Sequence, residues 1–349
     1  MKKFAIIVSC LMLLVPLLFF GSYAAGRLFS SGRYLSGVPD KTADYSINVE
    51  LKRASDWQRL VTEPVISESE FALVDGSTAT VPITAELLRQ FYGYSDEQVA
   101  NSPFIWHSTT DRAYQYLADE TGRYLDGEHP ERVRLILVTP PSAEESGYAA
   151  QAGITFEQDA IALDGFVFIV NRDNPIDSLT LEQVRDIFSG AVTNWSQVGG
   201  DNQEIQAFQR EEGSGSQTAM QQLVMKGEPM ATPPQIASVS SMSGLVERVA
   251  EYQNGTGSIG YTFDYYVKNL YTNENIKVLK IDGVTPSATS YLDGSYPLTS
   301  AYYAIIRSDE PADSPARRLR DFLLSDTGRQ VIELAGYTAV PPEWVEGRL

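Results

Sequence analysis

Short apolar runs at 71–74, 133–138, 166–170, 276–281 and 302–306 alternate with amphipathic stretches at 85–92, 112–117, 181–188, 218–225, 245–252, 317–324 and 328–334. The runs have the length and the β-branched and aromatic content of buried strands, whereas the stretches repeat their apolar residues with helical period. This alternation predicts an α/β fold with largely parallel sheets. In such sheets ligands sit at strand carboxyl ends, where loops run into helix N-termini. The strand-to-helix junctions are therefore where a site is expected.

With 349 residues the chain can build two lobes of ordinary domain size. Residues 1–24 stand apart. Lys2 and Lys3 precede an uncharged apolar run over 4–20, and Ser22-Tyr23-Ala24 suits a small-residue cleavage site. The segment reads as a secretory signal, with an uncleaved membrane anchor as the alternative because the run is near the shortest that crosses a bilayer. The chain is expected to be exported, to the outer face of the membrane, the periplasm or the medium. Cys10, the only cysteine, precedes most of the apolar run, a placement that argues against lipid attachment. No disulfide can form within the chain, so packing alone must stabilise it. Residues 25–66 are polar, rich in Ser, Gly and Pro around 30–39, and read as a tether and lead-in.

The formal net charge is −18, which makes nucleic acid an unsuitable partner. A small anion is not excluded, since local donors in a cleft outweigh a distant, salt-screened field. The two histidines, His107 and His129, make no metal-binding motif, and no HExxH, P-loop or GxGxxG pattern occurs. No metal, cofactor or catalytic residue is expected.

Three junctions are rich in hydroxyls. Asp75-Gly76-Ser77-Thr78 follows the first apolar run, His107-Ser108-Thr109-Thr110 precedes a helical stretch, and Arg210-Glu211-Glu212-Gly213-Ser214-Gly215-Ser216 leads into another. A single such junction is ordinarily a plain helix cap. Backbone N–H groups at a helix start lack intrahelical partners, and glycine lets an anion approach them closely. Three such loops converging, one carrying an arginine able to clamp an oxyanion in bidentate fashion, are hard to attribute to capping alone. By contrast, the tyrosine pairs Tyr265-Tyr266 and Tyr302-Tyr303 read as strand and packing residues.

The segment 210–216 resembles the Arg-x-(Asp/Glu)-x-Ser-Gly-(Thr/Ser) anion loop of the PstS-like phosphate-binding proteins of ABC-type uptake systems. The similarity runs over about 71–341. It includes Leu179-Thr180 through Ile187-Phe188-Ser189-Gly190 with Trp195, and Gly257-Ser258-Ile259-Gly260-Tyr261. The resemblance implies a two-lobed periplasmic-binding-protein-like fold of type II, with a ligand cleft between lobes and two chain crossovers. One lobe would combine 67–163 with 264–349 and the other would span 164–263. It further implies that Ser77, Thr78, Ser108, Thr109, Thr110, Thr139, Ser142, Arg210, Ser214, Gly215 and Ser216 bind the ligand, and that Glu212 holds Arg210 in place. The expected partners are a small oxyanion, phosphate first, and an ABC-transporter permease. The expected state is a monomer.

One departure bears on selectivity. Where the family has an aspartate, this chain has Thr139 in Leu137-Val138-Thr139-Pro140-Pro141-Ser142. A carboxylate there accepts the proton of hydrogen phosphate and repels fully deprotonated anions. Two other functions stay open. The same fold could be repurposed for another small ligand or a surface protein, or Ser214 or Ser216 could be a hydrolase nucleophile, although no base lies near in sequence.

Overall fold

The computed structural model describes residue 51 and residues 57–124, 130–233, 238–239, 241–251 and 256–343. The segment 1–24 with Cys10, most of the 25–66 tether, and His129 lie outside the described residues.

Eight strands form the central sheet: β1 (Val74–Gly76), β2 (Leu135–Val138), β3 (Phe156–Asn171), β4 (Gln206–Ala207), β5 (Ser258–Phe263), β6 (Ile276–Val278), β7 (Thr299–Arg307) and β8 (Thr338–Ala339). The helices that position the site or cover the sheet are α1 (Val81–Tyr92), α2 (Thr110–Asp119), α3 (Ala143–Gln151), α4 (Leu181–Ser189), α5 (Gly215–Ala219), α6 (Met242–Glu251), α7 (Pro315–Leu324) and α8 (Asp326–Leu334). Local chemistry explains their ends. Pro82 sits in the first turn of α1, and Gly93, at φ 73°, closes it with its N–H on the Arg89 carbonyl. Thr180 and Gln183 form a reciprocal capping box on α4.

The strand order is β1-β2-β7-β3-β5-β4, with β6 and β8 also paired to β3. Within this sheet, among the described residues, only β1 with β2 and β5 with β4 are parallel; β7 with β2 and every pairing of β3 are antiparallel. The expectation of largely parallel sheets is thus corrected. The α/β alternation was legible, but β3 and β7 run against their neighbours, and periodicity carries no information about strand direction. The run expected at 71–74 is a short helical turn, Ser69–Leu73, before β1, and the run at 166–170 belongs to a strand of 16 residues.

Strand β3 carries both halves of the molecule. Residues Phe156 to Gly165 pair with β7, whereas Phe166 to Val170 pair with β5. Its second half is buried on both faces, which explains the uninterrupted run Phe166-Val167-Phe168-Ile169-Val170. Phe166 packs with Phe263 at 5.6 Å between ring centroids, and Phe263 packs in turn with Tyr302 at 5.5 Å. Each such aromatic pair contributes about 0.5–1.5 kcal/mol beyond its buried area. Helix α6 lies close over β5 because Gly260 has no side chain; a Cβ there would stand 2.7 Å from Leu245 Cδ2.

Two buried carboxylates mark where the chain changes partners. Asp164 Oδ1 accepts from the backbone N–H of Gly165 (2.8 Å) and of Tyr265 (3.0 Å), and Oδ2 accepts from the Tyr302 hydroxyl (3.2 Å). Asp264, directly after β5, accepts from Lys268 Nζ (2.6 Å) and the Tyr291 hydroxyl (2.7 Å). Burial pushes the Asp164 carboxyl up to about 7; the Tyr265 N–H opposes the rise and the Asp264 charge adds to it.

Folded Asp164 therefore holds its proton more tightly than the unfolded chain does. Its contribution to stability is complete below the unfolded carboxyl range near ~4 and is lost as pH rises through about 7, with a slope of up to ~1.4 kcal/mol per pH unit between them. Asp164→Asn is expected to remove that slope and to gain stability relative to the parent chain at pH 8. Urea unfolding of both proteins at pH 5 and pH 8 checks this, and equal slopes would refute it.

Candidate functional site

The first hydroxyl loop leaves β1 at Gly76, whose backbone runs against β2. A Cβ at Gly76 would lie 2.3 Å from the Leu137 carbonyl oxygen, so only glycine fits. Ser77 N–H then donates to that carbonyl at 3.0 Å, and Thr80 Oγ1 donates to it at 2.7 Å. Asp75 ties this loop to the second one, its Oδ1 accepting from the N–H groups of Gly76 and Ser108, both at 2.8 Å. His107 is buried beneath, with Nδ1 2.8 Å from the Ser77 carbonyl and Nε2 2.9 Å from Thr84 Oγ1. It braces two loops and lies outside the cavity lining.

The second loop ends at Thr109, whose φ of 86° is unusual for a β-branched residue. Such strain costs on the order of 1–3 kcal/mol and persists only where surrounding contacts enforce it. Thr110 follows as the buried first residue of α2. Thr139, at the end of β2, has its carbonyl held by the Tyr114 hydroxyl at 2.8 Å.

The arginine loop comes from the other half of the molecule. Gln209–Arg210 forms a short strand parallel to Ser238–Val239, and the Arg210 N–H donates to the Tyr261 hydroxyl at 2.9 Å. Its Nε donates to the Val239 carbonyl at 3.1 Å and Nη1 reaches Ser216 Oγ at 3.4 Å. Burial lowers the guanidinium from its ordinary value, against the opposing influence of Tyr261, Tyr266 and Glu211. Arginine nonetheless remains cationic in proteins, so this is a half-buried positive charge. Gly213, at φ 78°, turns the chain, and Ser214 Oγ caps α5 by accepting from Gln217 N–H at 3.2 Å.

These loops meet around a cavity of about 240 Å³. Of the residues expected from the sequence, Ser77, Thr78, Thr109, Thr110, Thr139, Arg210, Ser214, Gly215 and Ser216 line it. Gly215 is where the two halves come closest. A Cβ there would lie 2.7 Å from Thr139 Oγ1 and 2.9 Å from Thr110 Oγ1. Ser77 Oγ and Thr139 Oγ1 are buried without a hydrogen-bond partner among the described residues. An unmade hydrogen bond of this kind costs about 1–3 kcal/mol, which a polar ligand in the cavity would offset. No carboxylate lies in the described lining.

Three expected residues are placed elsewhere. The Ser108 N–H is used on Asp75, and Ser142 forms a capping box with Glu145 on α3. Glu212 is exposed and accepts from Gln221 Nε2 at 2.9 Å, while the Val239 carbonyl orients Arg210. The turn at Gly213 leaves Glu212 on the outside.

The lining also contains Ala79, Ser241, Met242, Ser243, Phe263 and Tyr266, which the sequence reading missed. Ser240-Ser241-Met242-Ser243 precedes an amphipathic stretch just as the other loops do, but the helix was expected to start at 245 and begins at Met242. Phe263 and Tyr266 had no local signal; the fold delivers them at the end of β5. The tyrosine pairs accordingly divide: Tyr265 and Tyr302 pack against Tyr337, whereas Tyr266 faces the cavity.

Comparison with known proteins agrees with this architecture. The family model described as PBP superfamily domain matches residues 64–327. The phosphate-binding protein PstS of Staphylococcus saprophyticus is 30% identical over 209 residues, covering 58% of this chain and 63% of its own length. PstS of Staphylococcus epidermidis is 24% identical over 283 residues, 79% of this chain and 80% of the relative. The chain thus spans a little under two thirds of the length of the S. saprophyticus protein. Among solved structures, an ABC-type phosphate transport receptor from Vibrio cholerae superposes with a TM-score of 0.54 at 21% identity, over 77% of this chain and 99% of that one, a likeness of two-lobed fold. With the matched domain spanning most of the chain and the loops of both halves meeting at one cavity, this protein belongs to the PBP superfamily.

Proposed function

We propose that this chain is an extracytoplasmic solute-binding protein that captures a small tetrahedral oxyanion, phosphate first, for ABC-type uptake or sensing, and makes or breaks no bond. One observation carries the reading: Ser77 Oγ and Thr139 Oγ1, buried without partners among the described residues, share a cavity with the half-buried Arg210 guanidinium. Hydroxyl donors and a cation facing the same small space recognise an oxyanion. Relatives that bear the name phosphate-binding protein PstS support phosphate as the first choice. On this reading 67–163 with 264–349 form one lobe and 164–263 the other, except that 276–281 pairs with Ile169 to Asn171 and with Ser178–Leu179 and so belongs with the second, and the protein hands its ligand to a permease as a monomer.

A nucleophilic role for Ser216 has little support. Its hydroxyl faces the Arg210 guanidinium, which has no lone pair to take a proton. His107, a base in principle, is engaged with Ser77, Thr80 and Thr84.

Calorimetric titration with phosphate tests the clamp. Arg210→Ala is expected to weaken binding about tenfold or more, because a hydrogen bond to a charged group contributes about 1.5–3 kcal/mol. Ser216→Ala is expected to cost about 1 kcal/mol, as a single neutral donor does. Phosphate binding by Arg210→Ala with undiminished affinity would remove this loop from the site.

Selectivity follows from Thr139. Neither Glu144 nor Glu145, nor Glu211 nor Glu212, lines the cavity in place of the missing aspartate. Sulfate at neutral pH has no proton and requires only donors, so nothing in the described lining repels it. Weak phosphate-over-sulfate discrimination is expected, with a gain in Thr139→Asp. Competition between the two anions at pH 7 measures both, and strong rejection of sulfate by the unmodified protein would contradict the assignment.

A further inference from the structure

The chain leaves the central sheet after β4 by exchanging a backbone partner for a side chain. Its donors follow β5 at every second residue: the Gln206 N–H donates to the Gly257 carbonyl at 2.9 Å and the Phe208 N–H to the Ile259 carbonyl at 2.8 Å. The next donor in this parallel series, the Arg210 N–H, would reach the Tyr261 carbonyl. It donates instead to the Tyr261 hydroxyl, at 2.9 Å. The chain thereby parts from β5 to pair with Ser238–Val239, and its buried donor keeps a partner. The same hydroxyl donates to Gln217 Oε1 in the first turn of α5, and the Gln217 N–H donates to Ser214 Oγ at 3.2 Å. One phenol oxygen thus holds both ends of the loop 210–217, with Ser214, Gly215 and Ser216 between them.

Tyr261 is itself fixed by the core. It is fully buried, its ring lies 5.6, 6.4 and 5.5 Å from those of Phe166, Phe168 and Phe188, and its backbone pairs with Phe168 of β3. Burial pushes the phenol well above its ordinary value, against the opposing Arg210 N–H and charge, so the hydroxyl keeps the proton it donates to Gln217. A phenol donates once and accepts on its lone pairs, and both capacities are used on the loop. Resting on the oxyanion reading above, we propose that Tyr261, which stands outside the cavity lining, is a positioning residue for the anion: its hydroxyl sets the place of Arg210 and of the turn from Ser214 to Ser216. Phenylalanine would fill the same space in the core and hold neither end of the loop. The segment from Gly257 to Tyr261 therefore serves the site as well as the sheet.

The test is a double-mutant cycle read by calorimetric titration of the full chain with inorganic phosphate. Tyr261→Phe is expected to weaken binding about tenfold in the parent chain, since two neutral hydrogen bonds to the loop are lost. In Arg210→Ala, titrated at phosphate concentrations scaled to its weaker binding, the same change is expected to cost about threefold or less, because the main group it positions is gone. A general loosening of the core would cost the same factor in both backgrounds. That outcome, or undiminished affinity in Tyr261→Phe, would overturn the inference and leave the oxyanion reading intact. Should Tyr261→Phe fail to fold, Gln217→Met takes its place, removing the acceptor of the hydroxyl while keeping the bulk. It is expected to weaken phosphate binding about threefold, and unchanged affinity would overturn the inference. Absence of phosphate binding by the parent chain would overturn both readings.

Discussion

Strand β3 is the piece of backbone on which both halves of the sheet are hung. Between Gly165 and Phe166 it stops pairing with β7 and begins pairing with β5. Everything that brings one set of loops to face the other depends on this exchange. The return of the chain after β5 is fastened to the same place, since the Tyr265 N–H donates to the Asp164 carboxylate. Beyond that point residues 276–281 come back to pair with Ile169 to Asn171 and with Ser178–Leu179, so the two halves are joined at more than one place.

Closeness at Gly215 is the second consequence. Thr110 and Thr139 stand on one side and the arginine loop on the other, with less than a side chain between them. The Gln222 amide also reaches the Pro141 carbonyl at 3.1 Å. Burying hydroxyls and a guanidinium together is costly in the absence of a compensating anion. The cavity is therefore an arrangement whose energy improves when a complementary anion enters, which is how stability and function are linked here.

The aromatic residues of the cavity lining, Phe263 and Tyr266, belong to the core. Phe263 extends the aromatic cluster that includes Phe166 and Tyr302, so its face toward the ligand is held by the packing that holds the fold. Hydroxyl loops are adjustable by comparison, since each hydroxyl rotates to donate or accept.

Local sequence by itself determined the α/β class, the hydroxyl-rich junctions and the placement of Arg210 next to Ser214, Gly215 and Ser216, because caps, turns and amphipathic period act over a few residues. It did not separate Ser77 and Thr139, which face the cavity, from Ser142, which only caps α3, since both roles use the same residue types. Strand direction, the antiparallel course of β3 and β7, and the arrival of Met242, Phe263 and Tyr266 at the site were decided by the tertiary structure. Those outcomes depend on pairing between segments about a hundred residues apart, as with Phe166 and Phe263. Long-range pairing is chosen by the packing of the whole core and leaves no mark in any local window.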